Sequence, residues 1–577
     1  MSASEVRTRA DDPERPWLGS YPPGVPRDVP VGTETIPELL EQAVKKWARR
    51  DALVFSLRPG LERRWTYQEL WDDIGHVAAA LHARGFVPGD RLALLLPNCP
   101  EYVFSYFAAL RLGLEVVQIS PLYVRDDLSK PLSDSRPKGI VTLDILSHGL
   151  ESVPESAEIP HRFIARLRED APLWARPFVN GALRRQGRDP RLPHFPFEPF
   201  RRLLRTEGKV PEVALNALED VAVLQYTGGT TGSPKAAMLT HANLVVNARQ
   251  VRAWLTGYRE GEEVLLALIP FFHVYGMTAA LNCALLYGAT LVTQPLPPSA
   301  ELIFEYVRRY RPTIFPGVPP FYADIIHHPR AKEADLRGIR FCVSGSAHLP
   351  IEVARRFREI TGGEVVEGYG LSETSPVTHI NPIGVPPREG SVGLPVPSTY
   401  VKIVDPSDPR RVLPAGTDGE IAVKGPQVMK GYLDRPEENQ RALVDGWFLT
   451  GDIGHLDNEG YTYVVDRKKD LIIVGGFNVY PTEVEELLYQ FPGVAEAAVV
   501  GVPDARLGEV VKAFLVPKPG AKIRVDELVE FFRDRLAHYK TPREFVLVAA
   551  LPKTMVGKVL KRELRTAPPP PLPPGTL

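Results

Sequence analysis

The stretch Tyr226-Thr-Gly-Gly-Thr-Thr-Gly-Ser-Pro-Lys235 sets the tightest limit on how this chain can fold. It follows an apolar run, Val221 to Leu224, that reads as a buried strand. Its three glycines in ten residues let the backbone take positive φ and come close to a ligand. Thr227, Thr230, Thr231 and Ser233 add hydroxyls, and Lys235 adds a mobile point charge. Successive backbone N–H groups in such a turn make a concave anion site, which suits a polyphosphate. Two common nucleotide loops are excluded by spacing. Lys235 follows Pro234, so no Gly-x-x-x-x-Gly-Lys-[Ser/Thr] run exists. The G-x-G-x-x-G spacing of dinucleotide sites is absent as well.

Around this loop the pattern alternates. Thr35-Ile-Pro-Glu38 and Thr66-Tyr-Gln-Glu69 are capping boxes, and each opens an amphipathic helix. Arg91–Leu96 and Glu115–Ile119 read as strands on either side of a helix at Glu101–Leu112. Ile339–Val343 and Glu364–Val366 read as further short strands, each running into a Gly-containing loop. Such alternation implies a parallel sheet covered by helices, an α/β fold with ligand sites at the strand ends. Residues 1–30 are polar and rich in proline and are expected to lie on the surface.

The composition, 44% hydrophobic and 24% charged in 577 residues, is that of a globular protein with several domains. A net charge of −1 gives no case for nucleic-acid binding. Cys99, Cys283 and Cys342 lack metal-ligand spacing and point to a reducing compartment. Met277–Val292 is too short and too polar to span a bilayer and reads as core. From Arg162 to Arg205 there are eleven Arg against four carboxylates, interleaved with Trp174, Phe178, Phe195, Phe197 and Phe200. This is either a membrane-surface patch or a solvated insertion, and the insertion is preferred. After Asp466 a compact αβ pattern of about 100 residues is enough for a small domain. Pro568–Pro574 reads as a disordered tail.

The string from Tyr226 to His241 resembles the phosphate loop of the adenylate-forming enzymes: acyl-CoA synthetases, luciferases and peptide-synthetase adenylation domains. Ala236 stands where that family usually has Gly. The resemblance runs over roughly residues 30–566, with the motifs in family order. It implies domains at 1–465 and 466–566, with 567–577 as the tail, and a small mobile α+β C-terminal domain. It assigns the ATP phosphates to Thr227, Gly228, Gly229, Thr230, Thr231, Gly232, Ser233 and Lys235. Ser344-Gly-Ser-Ala347 and Glu367-Gly-Tyr-Gly-Leu-Ser-Glu-Thr374 resemble the adenine and α-phosphate segments. These bring in Gly345, Ser346, Ala347, Glu367, Gly368 and Gly370, with Tyr369 stacking on adenine. Ser372 replaces the usual Thr at the α-phosphate, and Glu373 would hold Mg²⁺ with Thr230 as second ligand. Asp452 and Arg467 would hold the ribose.

Phe271-Phe-His-Val-Tyr-Gly276 resembles the mouth of the family's acyl pocket, which implies His273, Val274, Tyr275 and Gly276, with Gly317 and Val318, as its lining. Amino-acid-activating relatives commonly carry an Asp where Val274 stands. An uncharged pocket suits an alkyl or aryl acid, because an unpaired ammonium there would be costly. Pro552-Lys-Thr-Met-Val-Gly-Lys558 matches the loop of the catalytic Lys, assigning that role to Lys558. The pivot matches Lys469, and Gly475 and Gly476 would line the CoA side.

The activity implied is long-chain fatty acid–CoA ligation through acyl-AMP, with ATP, Mg²⁺ and coenzyme A. The implied setting is the cytoplasm, with peripheral contact at the inner membrane face. A medium-chain or aryl acid–CoA ligase, a fatty acyl-AMP ligase, and a non-catalytic lipid-binding protein remain as alternatives.

Overall fold

Both capping boxes form. Thr35 and Glu38 exchange side-chain and backbone hydrogen bonds at the start of the helix Ile36–Trp47. Thr66 and Glu69 do the same for Tyr67–Ala83. These caps satisfy N–H groups that a helix start otherwise leaves unpaired. The helix Pro100–Arg111, buried over nearly its whole length, packs against Tyr67–Ala83. The structure is a computed structural model. It describes residues 15–123, 126–152, 159–185, 188, 190, 196–227, 234–296, 298–333, 335–385, 387–533, 535–554 and 557–572.

The described residues form four sheets, of nine, eight, six and five strands. The eight-stranded sheet is parallel at its centre. Arg91–Leu95 lies between Glu115–Gln118 and Gly139–Leu143, and Glu115–Gln118 pairs in turn with Val221–Thr227. The nine-stranded sheet is parallel from Asp51–Arg58 through Thr290–Thr293, Val264–Ala267, Ile314–Gly317 and Phe341–Ser344 to Val366–Gly370. Antiparallel strands close its edges. Its register sets Gly317 beside Ser344, and Ser344 beside Glu367, so three strand ends finish level. Loops leaving level parallel strands converge on one crevice.

The six-stranded sheet is antiparallel and spans Tyr400–Arg467. Its last hairpin pairs Asp452 directly with Arg467. The five-stranded sheet, from Ile472 to Leu547, has its own core around Val484, Leu488, Val499, Leu515 and Phe532. Asp466 joins the two sheets. Its carboxylate accepts the Thr482 N–H at 2.9 Å, at the start of the helix Pro481–Gln490. An anionic acceptor at a helix N-terminus is favoured by the helix dipole.

The structure corrects four expectations. The N-terminal arm does not simply lie on the surface: Trp17, Leu18 and Val25 are fully buried. Tyr21 stacks edge-on with Trp254 at 5.3 Å and donates to the Pro395 carbonyl at 2.6 Å. These apolar side chains outweigh the polar composition around them. The tail is ordered as far as it is described: Pro571 bridges Val548, and the Leu572 N–H donates to Leu547. The strand expected at Glu364–Val366 is Val366–Gly370, and the one at Ile339–Val343 is Phe341–Ser344. The stretch 162–205 is only partly an insertion. His161–Ala165 is a strand of the eight-stranded sheet, and Phe163, Leu183 and Phe200 are buried.

Met277–Val292 is core as expected, and it opens with a π-helical segment, Gly276–Asn282. The three cysteines are buried and unpaired. Among the described residues no helix is long and apolar enough to cross a membrane.

Candidate active site

A cavity of about 1250 Å³ opens where the loops converge. Each sheet contributes a wall. Thr227 and Lys235 flank the Gly/Thr loop, whose Gly228 to Ser233, Thr230 included, lie outside the described residues. Gly345 and Ser346 come from the strand end after Ser344, and Gly368, Tyr369, Gly370, Ser372 and Glu373 from the next. Arg467 and Lys469 come from the six-stranded sheet and its exit turn. Lys558 reaches in from beyond the five-stranded sheet.

The anchoring contacts explain why these side chains are held ready. Asp452 is buried and accepts the Tyr369 hydroxyl at 2.6 Å, while Arg467 Nε lies 3.1 Å from its other oxygen. Arg467 thus lines the cavity with Asp452 balancing its charge from behind. Glu373 accepts the Tyr432 hydroxyl at 2.8 Å. Lys235 pairs with Glu438 and lies 5.2 Å over the Tyr432 ring. Ser346 Oγ and Gln225 Oε1 are buried in the wall with no partner among the described residues. Such atoms are costly unless a ligand meets them.

The electrostatics are asymmetric. Burial pushes the Lys558 ammonium down to about 7, and the Arg467 guanidinium acts in the same direction. Burial, with help from Lys558, pushes His273 down to about 4, so its imidazole is neutral at pH 7. His273 Nδ1 accepts the Tyr275 N–H at 3.3 Å. Lys469 is lowered by burial and by Arg467. Cations thus crowd one end of the cavity. The lining also includes the apolar side chains Val251, Leu255, Ile314, Phe341, Val377 and Ile380.

His273, Val274 and Tyr275 line the cavity. Gly276, Gly317, Val318, Ala347, Glu367 and Asp452 do not, and most of them act from behind it. A Cβ on Gly276 would sit 2.1 Å from the Pro270 carbonyl oxygen, and one on Gly317 2.5 Å from the Tyr322 hydroxyl. Val318 is buried against Ile269 and Tyr275. Glu367 accepts the Leu349 N–H at 3.2 Å. Gly475 and Gly476 make the turn after Ile472–Val474, both at positive φ, away from the cavity in this domain orientation. Tyr432, Glu438, Gln225 and Thr450 were not singled out from sequence. Gly431-Tyr432 just before the Pro436 helix start was the available signal for the first two. Gly557, at φ +74, packs so closely that a Cβ would meet Pro320 Cγ at 2.4 Å. That contact brings the Lys558 loop against the nine-stranded sheet's helix Pro319–His327.

The profile described as AMP-binding enzyme matches residues 40–433, and that of the AMP-binding enzyme C-terminal domain matches residues 483–558. The chain belongs to the AMP-binding enzyme family. Within that family it is 40% identical over 561 residues to a long-chain-fatty-acid–CoA ligase of Bacillus subtilis (strain 168), covering 96% of this chain and 98% of the relative. It is 38% identical over 502 residues to a feruloyl-CoA synthase of an Amycolatopsis species, covering 87% and 93%. Among solved structures, the anthranilate CoA ligase AuaEII in complex with anthranoyl-AMP superposes with a TM-score of 0.81 at 27% identity. The match covers 94% of this chain and 98% of that one. These AMP-binding enzymes share the large N-terminal and small C-terminal domains seen here.

Proposed function

We propose that the chain is a long-chain fatty acid–CoA ligase working through an acyl-AMP intermediate. The observation that carries this reading is one cavity lined by both cationic and apolar side chains, with Lys558 from the small domain beside Arg467 and Lys469. In the first step a carboxylate oxygen attacks the α-phosphorus of ATP and the bond to pyrophosphate breaks. Both partners are anionic, so fixed positive charge must stand where negative charge accumulates. Lys558 supplies it, and Asp452 with Arg467 holds the ribose. Neutral His273 lets the fatty carboxylate pass without trapping it in an ion pair. In the second step the CoA sulfur attacks the acyl carbon, the acyl–O bond breaks, and AMP leaves.

The residues present fit a divalent cation: Glu373 offers a carboxylate at the cavity wall, and oxygen donors are what Mg²⁺ takes. Glu373 would hold it with Thr230, and it would offset charge on the phosphates. Lys469 is the proposed pivot and Gly475 and Gly476 the proposed CoA-side turn, with the domains divided near residue 465.

Aromatic-acid relatives supply the second reading, an aryl acid–CoA ligase. AMP formation with acids from C2 to C20 and with ferulate, with and without CoA, separates the readings. Highest kcat/KM on C14 to C18 acids, with CoA required for turnover, is expected. Preference for ferulate, or turnover without CoA, contradicts the reading.

The proposal includes reversible contact with anionic membranes at the inner face. Leu173, Trp174 and Phe178 are the most exposed large apolar side chains among the described residues, at 77%, 67% and 72%. Leu173 and Trp174 precede the helix Arg176–Arg185, which carries Phe178, buries Leu183 and ends in Arg184 and Arg185. Apolar residues with flanking Arg suit a lipid headgroup boundary.

A further inference from the structure

His348 stands between the two domains with a carboxylate on each ring nitrogen. Its Nδ1 lies 3.3 Å from Glu367 Oε1 in the large domain. Its Nε2 contacts Glu486, on the helix Pro481–Gln490 of the small domain. A neutral imidazole has one donor and one acceptor, so it would turn a lone pair toward one of the carboxylates. Only the imidazolium donates to both. The Leu349 N–H fixes Glu367 from behind. Glu367 and Glu486 are the charged groups that face the ring from the packed elements, and both hold its pKa well above 6.5 against the cost of burial. His348 follows Gly345 and Ser346 by three and two residues, so this contact ties the nucleotide wall to the small domain.

We infer that His348 is a positioning residue: it bridges Glu367 and Glu486 to hold the small domain, and with it Lys558, in place for the adenylation step. The inference rests on the proposed two-step reading, in which the small domain moves between steps. When it moves, Glu486 leaves with its helix and Glu367 stays, so the bridge belongs to the first step alone. The pH sense follows from the raised pKa. The bridge is fully present below the imidazole's ordinary pKa of about 6.5, and it is lost as pH rises through the raised value.

The test measures both half-reactions from pH 6 to 9, as fatty-acid-dependent pyrophosphate exchange and as thioester formation from synthetic acyl-AMP plus CoA. His348→Gln and Glu486→Gln should each slow the first step by about tenfold at pH 7, the low end for one hydrogen bond to a charged group. Neither should slow the second step, and the double variant should be no worse than either single one. The parent's ratio of first to second step should fall at high pH, where Lys558 also loses its proton, and His348→Gln should narrow that fall to the Lys558 contribution. His348→Lys, which keeps the charge, should restore the first step. An unchanged first step in both single variants, or equal loss in both steps, overturns the inference. Lys558→Ala in the same assays separates the two levels. If it spares the first step, the reading beneath the inference fails as well.

Discussion

At the scale of single residues, the site is a problem in placing charge. Burial and the neighbouring Arg467 hold Lys558 near 7, so in the free protein it is charged below that pH and largely neutral above it. Bound polyphosphate would raise the value again, because an adjacent anion favours the ammonium. An amine-acetylating reagent should therefore modify Lys558 at half its maximal rate near pH 7, and ATP with Mg²⁺ should protect it. A midpoint near 10, the value of an ordinary lysine, would contradict this. The pair Asp452–Arg467 makes a second claim. Asp452→Ala removes an acceptor for charge-assisted hydrogen bonds worth ~1.5–3 kcal/mol each. It also leaves Arg467 unbalanced beside Lys469 and Lys558. The KM for ATP should rise by roughly 10²-fold while the fatty-acid KM stays within about twofold. Normal ATP kinetics would refute the ribose role.

At the scale of elements, the turn at residues 468–470 connects the six-stranded sheet to the small domain. It is tied down on one side by Lys468, whose ammonium pairs with Glu420 at 2.9 Å, and on the other by Asp470, which receives Arg565 at 3.1 Å. Lys469 between them is the proposed pivot. Lys469→Pro fixes φ and restricts residue 468 as well. Adenylation should persist at near the parent rate while thioester formation falls by about 10²-fold or more, the scale of losing a productive geometry. Parallel loss of both steps in a protein of unchanged Tm would place the pivot elsewhere.

Much at this scale was legible in the sequence because the signals are local. Thr35-x-x-Glu38 and Thr66-x-x-Glu69 carry their helices in four residues. The strand before Tyr226 carries its own apolar run. The antiparallel sheet from Tyr400 to Arg467 was not legible, because its strands are interrupted by charge and turn residues and pair over long range. The buried arm was hidden because Trp17, Leu18 and Tyr21 sit among prolines and charges. In the site, motif residues that touch the cavity and those that brace it from behind look alike in sequence. Gly317 and Asp452 do the second. Tyr432 and Glu438 belong to no motif singled out, since their contacts with Glu373 and Lys235 exist only once the sheets meet.

At the scale of the whole molecule, two surfaces matter: the one between the domains and the one that could meet lipid. The second is tested with vesicles. Reversing the charge of Arg184, Arg185 and Arg188 should reduce cosedimentation with phosphatidylglycerol vesicles at low salt, where attraction is strongest. Activity on soluble medium-chain acids should be unaffected. A parent protein that ignores such vesicles at low salt leaves the Leu173, Trp174 and Phe178 surface without this role. The first surface carries the central claim, that Lys558 is delivered by the small domain for one step only. Its contact is close, with Gly557 against Pro320 and His348 against Glu486. The direct measurement is Lys558→Ala assayed in the two half-reactions separately, in one preparation of unchanged Tm. Adenylation should fall by roughly 10²-fold or more, the scale of losing one preorganised charge donor, while thioester formation from acyl-AMP and CoA stays within about twofold of the parent. Equal loss in both half-reactions, or adenylation at the parent rate, would contradict the account.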